Sequence, residues 1–267
     1  MFAASPRIAA AVFAVFACLA QAQNKPAGPE AAATYEPQPG QEGKDVIWLP
    51  TPQVVVDKML DVARVGPRDF VMDLGSGDGR TVITAARRGA TAMGIEYNPD
   101  MVAYAKRNAD KAGLSQKASF VKADLFETDF SKASVITMFL LPDINLKLRP
   151  KILALRPGTR IVSNTFTMGD WEPDVKVDLN GQPGCESSYC TVLHWVVPRR
   201  VAGTYSVAQG ELTLKQQFQM LTGSLKSGGA GLDVKGRVRG EVIEFSAGEK
   251  RYTGRLKGKI LELRDAG

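Results

Sequence analysis

The sequence predicts an α/β domain built on a parallel sheet, followed by a small antiparallel β domain. Three observations carry this. The stretch Val71-Met-Asp-Leu-Gly-Ser-Gly-Asp-Gly-Arg80 reads as a buried strand, a glycine turn and the start of a helix. Strand-like and helix-like segments then alternate as far as Asn164, as in a parallel sheet with right-handed crossovers. From Val201 onward, short alternating runs are separated by glycines with no helical period. That pattern predicts an antiparallel meander forming a small sandwich or barrel.

The N-terminus has a different character. Arg7 precedes an apolar run from Ile8 to Ala20, and Ala20-Gln21-Ala22 is a small-x-small sequence. This is the layout of a secretory signal peptide, residues 1–22, cleaved after Ala22. The run is short for a membrane span. The expectation is export to the periplasm, with an uncleaved N-terminal membrane anchor as the alternative. Residues 23–44 are rich in Ala, Pro, Gln and Gly and read as a flexible linker. The α/β domain is expected over 45–198 and the β domain over 199–267.

Within the α/β domain, Thr51-Pro52 reads as an N-cap followed by proline in the first turn. Val55, Val56, Met59, Leu60 and Ala63 then recur at helical spacing. Strands are expected at Phe70–Leu74, Thr91–Glu96, Ala118–Ala123, Val135–Leu141 and Arg160–Asn164. Asn98-Pro99 starts a helix that Gly113 ends. The segment 142–155 reads as a helix that Pro150 should kink or divide. Val175–Leu179 and Tyr189–Val197 read as a hairpin closing the sheet.

Two cysteines follow the expected cleavage site, Cys185 and Cys190. In an oxidising compartment a disulfide closing a small loop is expected, with free thiols as the alternative. They have no second Cys or His pair, so no metal site is expected. Residues 199–267 hold 13 Lys or Arg against 7 Asp or Glu, which accounts for the whole net charge of +6. The charges are interspersed, which reads as a solvated strand surface. Contact with an anionic envelope surface is the other reading.

The chemistry gathers at strand ends, where an open α/β sheet binds its ligand. The glycine turn lets the main chain approach a ligand closely. Glu96 ends the second strand, placed to accept both hydroxyls of a ribose, and Asp124 follows the third, placed to accept from an adenine amine. A dinucleotide would want Gly-x-Gly-x-x-Gly. Here the spacing is Gly75-x-Gly77-x-Gly79, one residue shorter, with Asp73 just before it. An acidic residue there suits a cationic ligand rather than a pyrophosphate.

Asp73–Gly79 (Asp-Leu-Gly-Ser-Gly-Asp-Gly), Gly94–Pro99 (Gly-Ile-Glu-Tyr-Asn-Pro) and Lys122–Leu125 (Lys-Ala-Asp-Leu) together resemble the class I S-adenosylmethionine-dependent methyltransferases. A closer resemblance covers about Val46 to Asp174. Leu49–Pro52, Gly75–Ile83 and Trp171-Glu-Pro-Asp174 are similar to the small mitochondrial protein-lysine methyltransferases and their bacterial relatives. The C-terminal β region and the signal segment lie outside that pattern. The resemblance implies a Rossmann-like seven-stranded methyltransferase sheet, S-adenosylmethionine as cofactor and a protein lysine as acceptor. A small-molecule acceptor, or a non-catalytic envelope protein binding the same ligand, are the alternatives; nucleic acid is not expected.

Carried onto this chain, the resemblance implies that Asp73, Gly75, Ser76 and Gly77 hold the methionine part. Thr51 covers it, Glu96 takes the ribose, Tyr97 packs on the adenine and Asp124 takes its amine. Phe139, Leu140 and Pro142 line the methyl-transfer channel, with Trp171 and Asp174 at its rim. The sequence nominates no particular residue as catalytic base. His194, the single histidine, falls mid-strand beyond the motifs and reads as structural.

Overall fold

The computed structural model describes residues 1–2 and 35–266. The expected signal peptide beyond residue 2, and the linker as far as residue 34, lie outside the described residues. Residues from Tyr35 onward form one compact unit. No helix among the described residues is long and apolar enough to cross a membrane.

The first sheet is built from β1 (Phe70–Leu74), β2 (Thr91–Glu96), β3 (Ala118–Lys122), β4 (Val135–Met138), β5 (Arg160–Asn164), β6 (Val175–Asp178) and β7 (Thr191–Val196). Its order is β3-β2-β1-β4-β5-β7-β6. The first five strands are parallel, and β7 and β6 add antiparallel at one edge. Helices α1 (Gln53–Val62), α2 (Arg80–Arg87), α3 (Pro99–Lys111) and α4 (Pro142–Leu153) cover it.

Successive side chains of the central strands enter opposite cores. Val71, Val135 and Val162 pack with Val55, Val56 and Leu60 of α1. Met72, Ile136 and Ile161 pack with Leu148 and Ile152 of α4. Covering both faces requires mostly apolar strands, and β1 and β4 are apolar except at Asp73 and Thr137, which meet each other through a hydrogen bond. Asn98 caps α3 by accepting from the Asp100 and Met101 amides at 2.9 and 3.3 Å. Pro150 neither ends nor divides α4. Ile144, Leu148 and Ile152, one turn apart, are all buried against the sheet, and that packing carries the helix through the proline.

The second sheet is β8 (Gly203–Val207), β9 (Gly210–Gln217), β10 (Met220–Ser227), β11 (Ala230–Arg239), β12 (Val242–Ala247), β13 (Lys250–Lys257) and β14 (Ile260–Asp265). Each strand pairs antiparallel with the next, and the two end strands approach each other, so the sheet nearly closes. Its interior is filled by Leu212, Leu214, Leu225, Val234, Ile243 and Phe245. The sequence pattern predicts six of these strands and passes over β10, whose Gly and Ser dilute the strand signal. Gly223 is what the curvature demands: a Cβ there would lie 1.9 Å from the Thr213 carbonyl oxygen.

The two sheets meet at Trp171–Asp174, the segment expected at the rim of the channel. Trp171 is fully buried and stacks on Phe218, with centroids 5.9 Å apart. Phe218 begins the two-residue β9–β10 turn at φ +50, a backbone conformation rare for a non-glycine residue. Next to it, Gln219 Nε2 donates to the Glu172 carbonyl at 2.7 Å. Asp174 pairs with Arg237 of β11 and also accepts from the Val196 amide at 2.8 Å. Trp171 and Asp174 therefore anchor the β domain, because both side chains are consumed in that junction.

Trp171→Ala should lower the unfolding free energy by about 3–5 kcal/mol, as for other buried Trp truncations, in urea titrations. S-adenosylmethionine affinity, measured below the melting transition, should stay unchanged. A weakened affinity without loss of stability would return Trp171 to the channel.

Candidate active site

A cavity opens at the carboxyl ends of β1, β2 and β4. Strand order reverses here, with β2 on one side of β1 and β4 on the other. The glycine turn forms its floor, with Gly75, Gly77 and Gly79 at φ +77, +51 and +83. The Gly75 and Ser76 amides both donate to the Ile95 carbonyl, at 2.9 and 3.0 Å. The Gly77 amide donates to Glu96 Oε2 at 3.0 Å, and the Asn98 amide donates to Oε1 at 3.0 Å. Glu96 is thus fixed by two backbone donors while each oxygen keeps a lone pair. A Cβ on Gly77 would lie 2.4 Å from Trp48 Nε1.

Asp73 supplies the charge on this wall. It is 6% exposed, and Thr137 Oγ1 donates to it at 2.6 Å. No ion pair among the described residues includes it. Burial pushes the carboxyl up to about 7; the negative charges of Asp78 and Glu96 add to this, and the Thr137 hydrogen bond opposes it. Ser76 Oγ, in the glycine turn and against Gly94 of β2, is buried without a partner. A buried carboxylate without a counter-ion and an orphaned hydroxyl fit a ligand that brings an ammonium or sulfonium. A pyrophosphate does not fit. Asp78 accepts from the Arg80 amide at 3.1 Å and pairs with the Arg80 guanidinium at 2.6 Å, so the start of α2 is already occupied by an ion pair.

At the other end Asp124 Oδ1 accepts from the Phe126 amide at 2.9 Å, and Oδ2 from Lys44 Nζ at 2.5 Å. Lys44, then the Phe126 amide, hold the Asp124 carboxyl below the usual range. Lys44 also lies 4.5 Å from the centroid of Tyr97, an exposed ring. Lys44 belongs to a short strap over the cavity. The Trp48 amide donates to the Gln41 carbonyl at 2.9 Å, and the Gly40 amide donates to the Trp48 carbonyl at 2.8 Å. Arg107 of α3 donates to the Tyr35 carbonyl at 2.8 Å. Residues 35–44, expected as linker, are thus tied down by polar contacts that a hydrophobic pattern does not register.

All eight residues expected to hold the cofactor line this one cavity, Thr51, Asp73, Gly75, Ser76, Gly77, Glu96, Tyr97 and Asp124, and so do Phe139 and Leu140 of the expected channel. Thr51 does not cap α1. Pro52 takes the N-cap position without a side-chain bond, and the Thr51 carbonyl accepts from Arg80 at 2.9 Å. The other residues expected along the channel and at its rim, Pro142, Trp171 and Asp174, do not line the cavity. Pro142 is exposed at the first position of α4, and Trp171 and Asp174 are in the domain junction. Lys44, Trp48, Phe166 and Tyr189 line it without having been expected. The last two come from loops, where one sequence offers no signal.

Cys185 and Cys190 form a disulfide and are both buried. His194 lies on β7 outside the cavity, with both ring nitrogens buried and unpartnered. Burial drives its pKa down to about 4. No group of His, Cys, Asp or Glu among the described residues could hold a metal ion.

The sheet order, the switch-point cavity and its acidic wall define a class I S-adenosylmethionine-dependent methyltransferase. The ANTKMT methyltransferase domain family matches residues 73–175. A protein-lysine N-methyltransferase of Saccharolobus islandicus is 46% identical over 131 residues, 48% of this chain and 81% of that protein. The chain belongs to the family of these methyltransferases, and its cofactor is S-adenosylmethionine.

The adenine nucleotide translocase lysine N-methyltransferase of Mus musculus is 37% identical over 120 residues, 44% of this chain and 52% of its own length. An RNA methyltransferase from Salinibacter ruber, crystallised with S-adenosyl-L-homocysteine, is 48% identical with a TM-score of 0.53, covering 57% of this chain and 96% of that one. The acceptors named for these relatives differ, so this chain's acceptor has to be argued from its own site.

The raised pKa of Asp73 makes the stability of the free protein depend on pH. The folded state holds this proton more tightly than the unfolded chain does. The stability it contributes is complete below about pH 4 and is lost as pH rises through about 7. Asp73→Asn should remove that dependence and stabilise the free protein at pH 8 by roughly 4 kcal/mol, in urea titrations from pH 5 to 8. An identical pH profile for the variant would show that Asp73 is ionised throughout.

Proposed function

We propose that this protein is an exported enzyme that methylates the ε-amine of a lysine in another protein. S-adenosylmethionine, when bound, supplies a methyl group already activated on a sulfonium. The chain's own residues then bind, align and exclude water. Asp73 receives the ammonium of the methionine part, Ser76 Oγ gains the partner it lacks, and Gly75 and Gly77 let the backbone close in. Thr51 covers this end. Glu96 accepts from the ribose hydroxyls, Tyr97 packs on the adenine and Asp124 accepts from its amine. The buried Asp73, which has no counter-ion, carries the cofactor part of the reading, because a ligand cation relieves its charge.

The acceptor end supports an amine nucleophile. Phe139, Leu140, Leu141, Phe166 and Tyr189 line it, none of them a carboxylate or imidazole. A lysine entering there loses water, which lowers its pKa and favours the neutral nucleophile without a dedicated base. Two of the relatives act on lysine by name, one of them 46% identical to this chain. Export is supported by the N-terminal layout and by the disulfide, a feature of oxidising compartments. The basic β domain would then be the part that faces an anionic envelope surface.

Calorimetry on the purified chain should show S-adenosylmethionine binding that Glu96→Ala weakens about 100-fold, near 3 kcal/mol for charged hydrogen bonds lost to two hydroxyls. No heat from the wild type would remove the cofactor roles assigned to these residues. Methyl-labelled cofactor incubated with an envelope extract should leave label in methyl-lysine after acid hydrolysis of the protein fraction. Label confined to RNA or to small molecules would overturn the lysine acceptor.

A further inference from the structure

We propose that Lys44 fills the adenine position of the free protein, and that S-adenosylmethionine binds by displacing its ammonium. This rests on the cofactor roles given above to Tyr97 and Asp124 and deepens them. Lys44, Tyr97 and Asp124 all line the cavity. The Lys44 ammonium engages both of the others: it donates to Asp124 Oδ2 at 2.5 Å and stands 4.5 Å from the Tyr97 centroid. A base stacked on that ring would lie about 3.5–4 Å above it. Base and ammonium therefore cannot share that face of the ring, and both address the same carboxylate.

The strap lets this side chain leave while its backbone stays. The Gly43 amide donates to the Val46 carbonyl at 2.9 Å, and Glu42 pairs antiparallel with Ile47, so Lys44 and Asp45 form the tip of a hairpin. Behind the tip the strap is pinned on both sides. Arg107 holds the Tyr35 carbonyl, the Tyr35 ring stands edge-on to Tyr104 with centroids 6.4 Å apart, and Gln41 Nε2 donates to the Tyr35 hydroxyl at 2.6 Å. On the other side Trp48 lies against Gly77. The displaced ammonium has a second carboxylate to turn to, since Lys44 Nζ already lies 4.0 Å from Asp45 Oδ2. The Lys44 and Asp124 side chains are 35% and 27% exposed, and an ion pair this open to water is weak enough to yield to a ligand. Lys44 is thus a latch. It covers Tyr97 and Asp124 in the free protein, and the apparent cofactor affinity is scaled down to the fraction of molecules in which it is open.

The test uses the full chain as wild type, Lys44→Met and Lys44→Arg, titrated in a calorimeter with S-adenosylmethionine and with S-adenosylhomocysteine. At low salt Lys44→Met should bind S-adenosylmethionine about five-fold tighter than the wild type, the gain when the open form rises from roughly one molecule in five to all of them. S-adenosylhomocysteine has no sulfonium, so it reports the adenine end without the general pull of a less basic protein on a cationic ligand, and it should show the same gain. Lys44→Arg keeps a cation on Asp124 and should bind like the wild type. In about 1 M salt, where exposed pairs are screened, the gap between wild type and Lys44→Met should close. Weaker binding by Lys44→Met would show that Lys44 holds the adenine instead of yielding to it. A gain confined to S-adenosylmethionine would trace to net charge alone. Either result overturns the latch. Equal binding by all three proteins sinks the latch and leaves the cofactor roles standing, whereas no heat from any of them sinks those roles themselves.

Discussion

The site depends on a carboxylate that is buried with no cation to pair with it. Asp73 lies near the end of β1 in the middle of the sheet, where burial disfavours its charge and Asp78 and Glu96 disfavour it further. A fold does not keep such a group for stability, since an unpaired charge in the interior is costly. The cost is relieved when a ligand arrives with a positive group, so the strain of the free protein becomes selectivity for the bound one. The same carboxylate argues against the dinucleotides that bind at this point of many α/β sheets, because their pyrophosphate would meet like charge. One residue at the end of one strand thus separates two ligand classes that share a fold.

Glu96 adds the second constraint. Its two oxygens accept from the Gly77 and Asn98 amides, so the glycine turn and the start of α3 are tied to the end of β2. Asp73 and Glu96 therefore sit on adjacent strands at a fixed separation, which matches the roles proposed for them at the charged end and the sugar of the cofactor. The strap supplies the cover. Trp48 lies against Gly77, where only a glycine leaves room, and Lys44 reaches across to Asp124 and Tyr97. Lys44 already holds the carboxylate proposed for the adenine amine, so in that reading the strap and the cofactor share the adenine end.

What is legible in the sequence divides along physical lines. The sheet is legible because strands buried on both faces are continuously apolar, and their alternation with helices admits few topologies. The residues that line the cavity are largely legible because most of those singled out lie at strand ends, positions that sequence pattern locates directly. Residues whose role is set by distant partners are not. Trp171-Glu-Pro-Asp174 resembles a family motif, yet here Phe218, Gln219 and Arg237, some 45 to 65 positions later, take up its side chains and backbone. The strap reads as linker because Tyr35 and Lys44 are held by polar contacts, which leave no periodicity. Strand β10 escapes the pattern because the glycine that lets the barrel curve is also the residue that weakens a strand signal.

The β domain can then be understood through what it touches. It grips the segment that runs from β5 to β6, whose near end carries Phe166 in the acceptor region and whose far end is Trp171. Between them Arg149 of α4 donates to the Met168 carbonyl at 2.7 Å, and its guanidinium lies 5.2 Å from the centroid of Phe218. Barrel, α4 and the Phe166 loop thus share one arginine, and the backbone behind the acceptor region is held from both sides. A strained turn at Phe218 persists because this junction over-determines it. The glycine turn and Glu96 brace one end of the cavity, whereas the end lined by Phe166 and Tyr189, proposed for the acceptor, is braced by the disulfide loop and the barrel. Differences in acceptor between proteins that share this core are therefore expected to be written in those added parts.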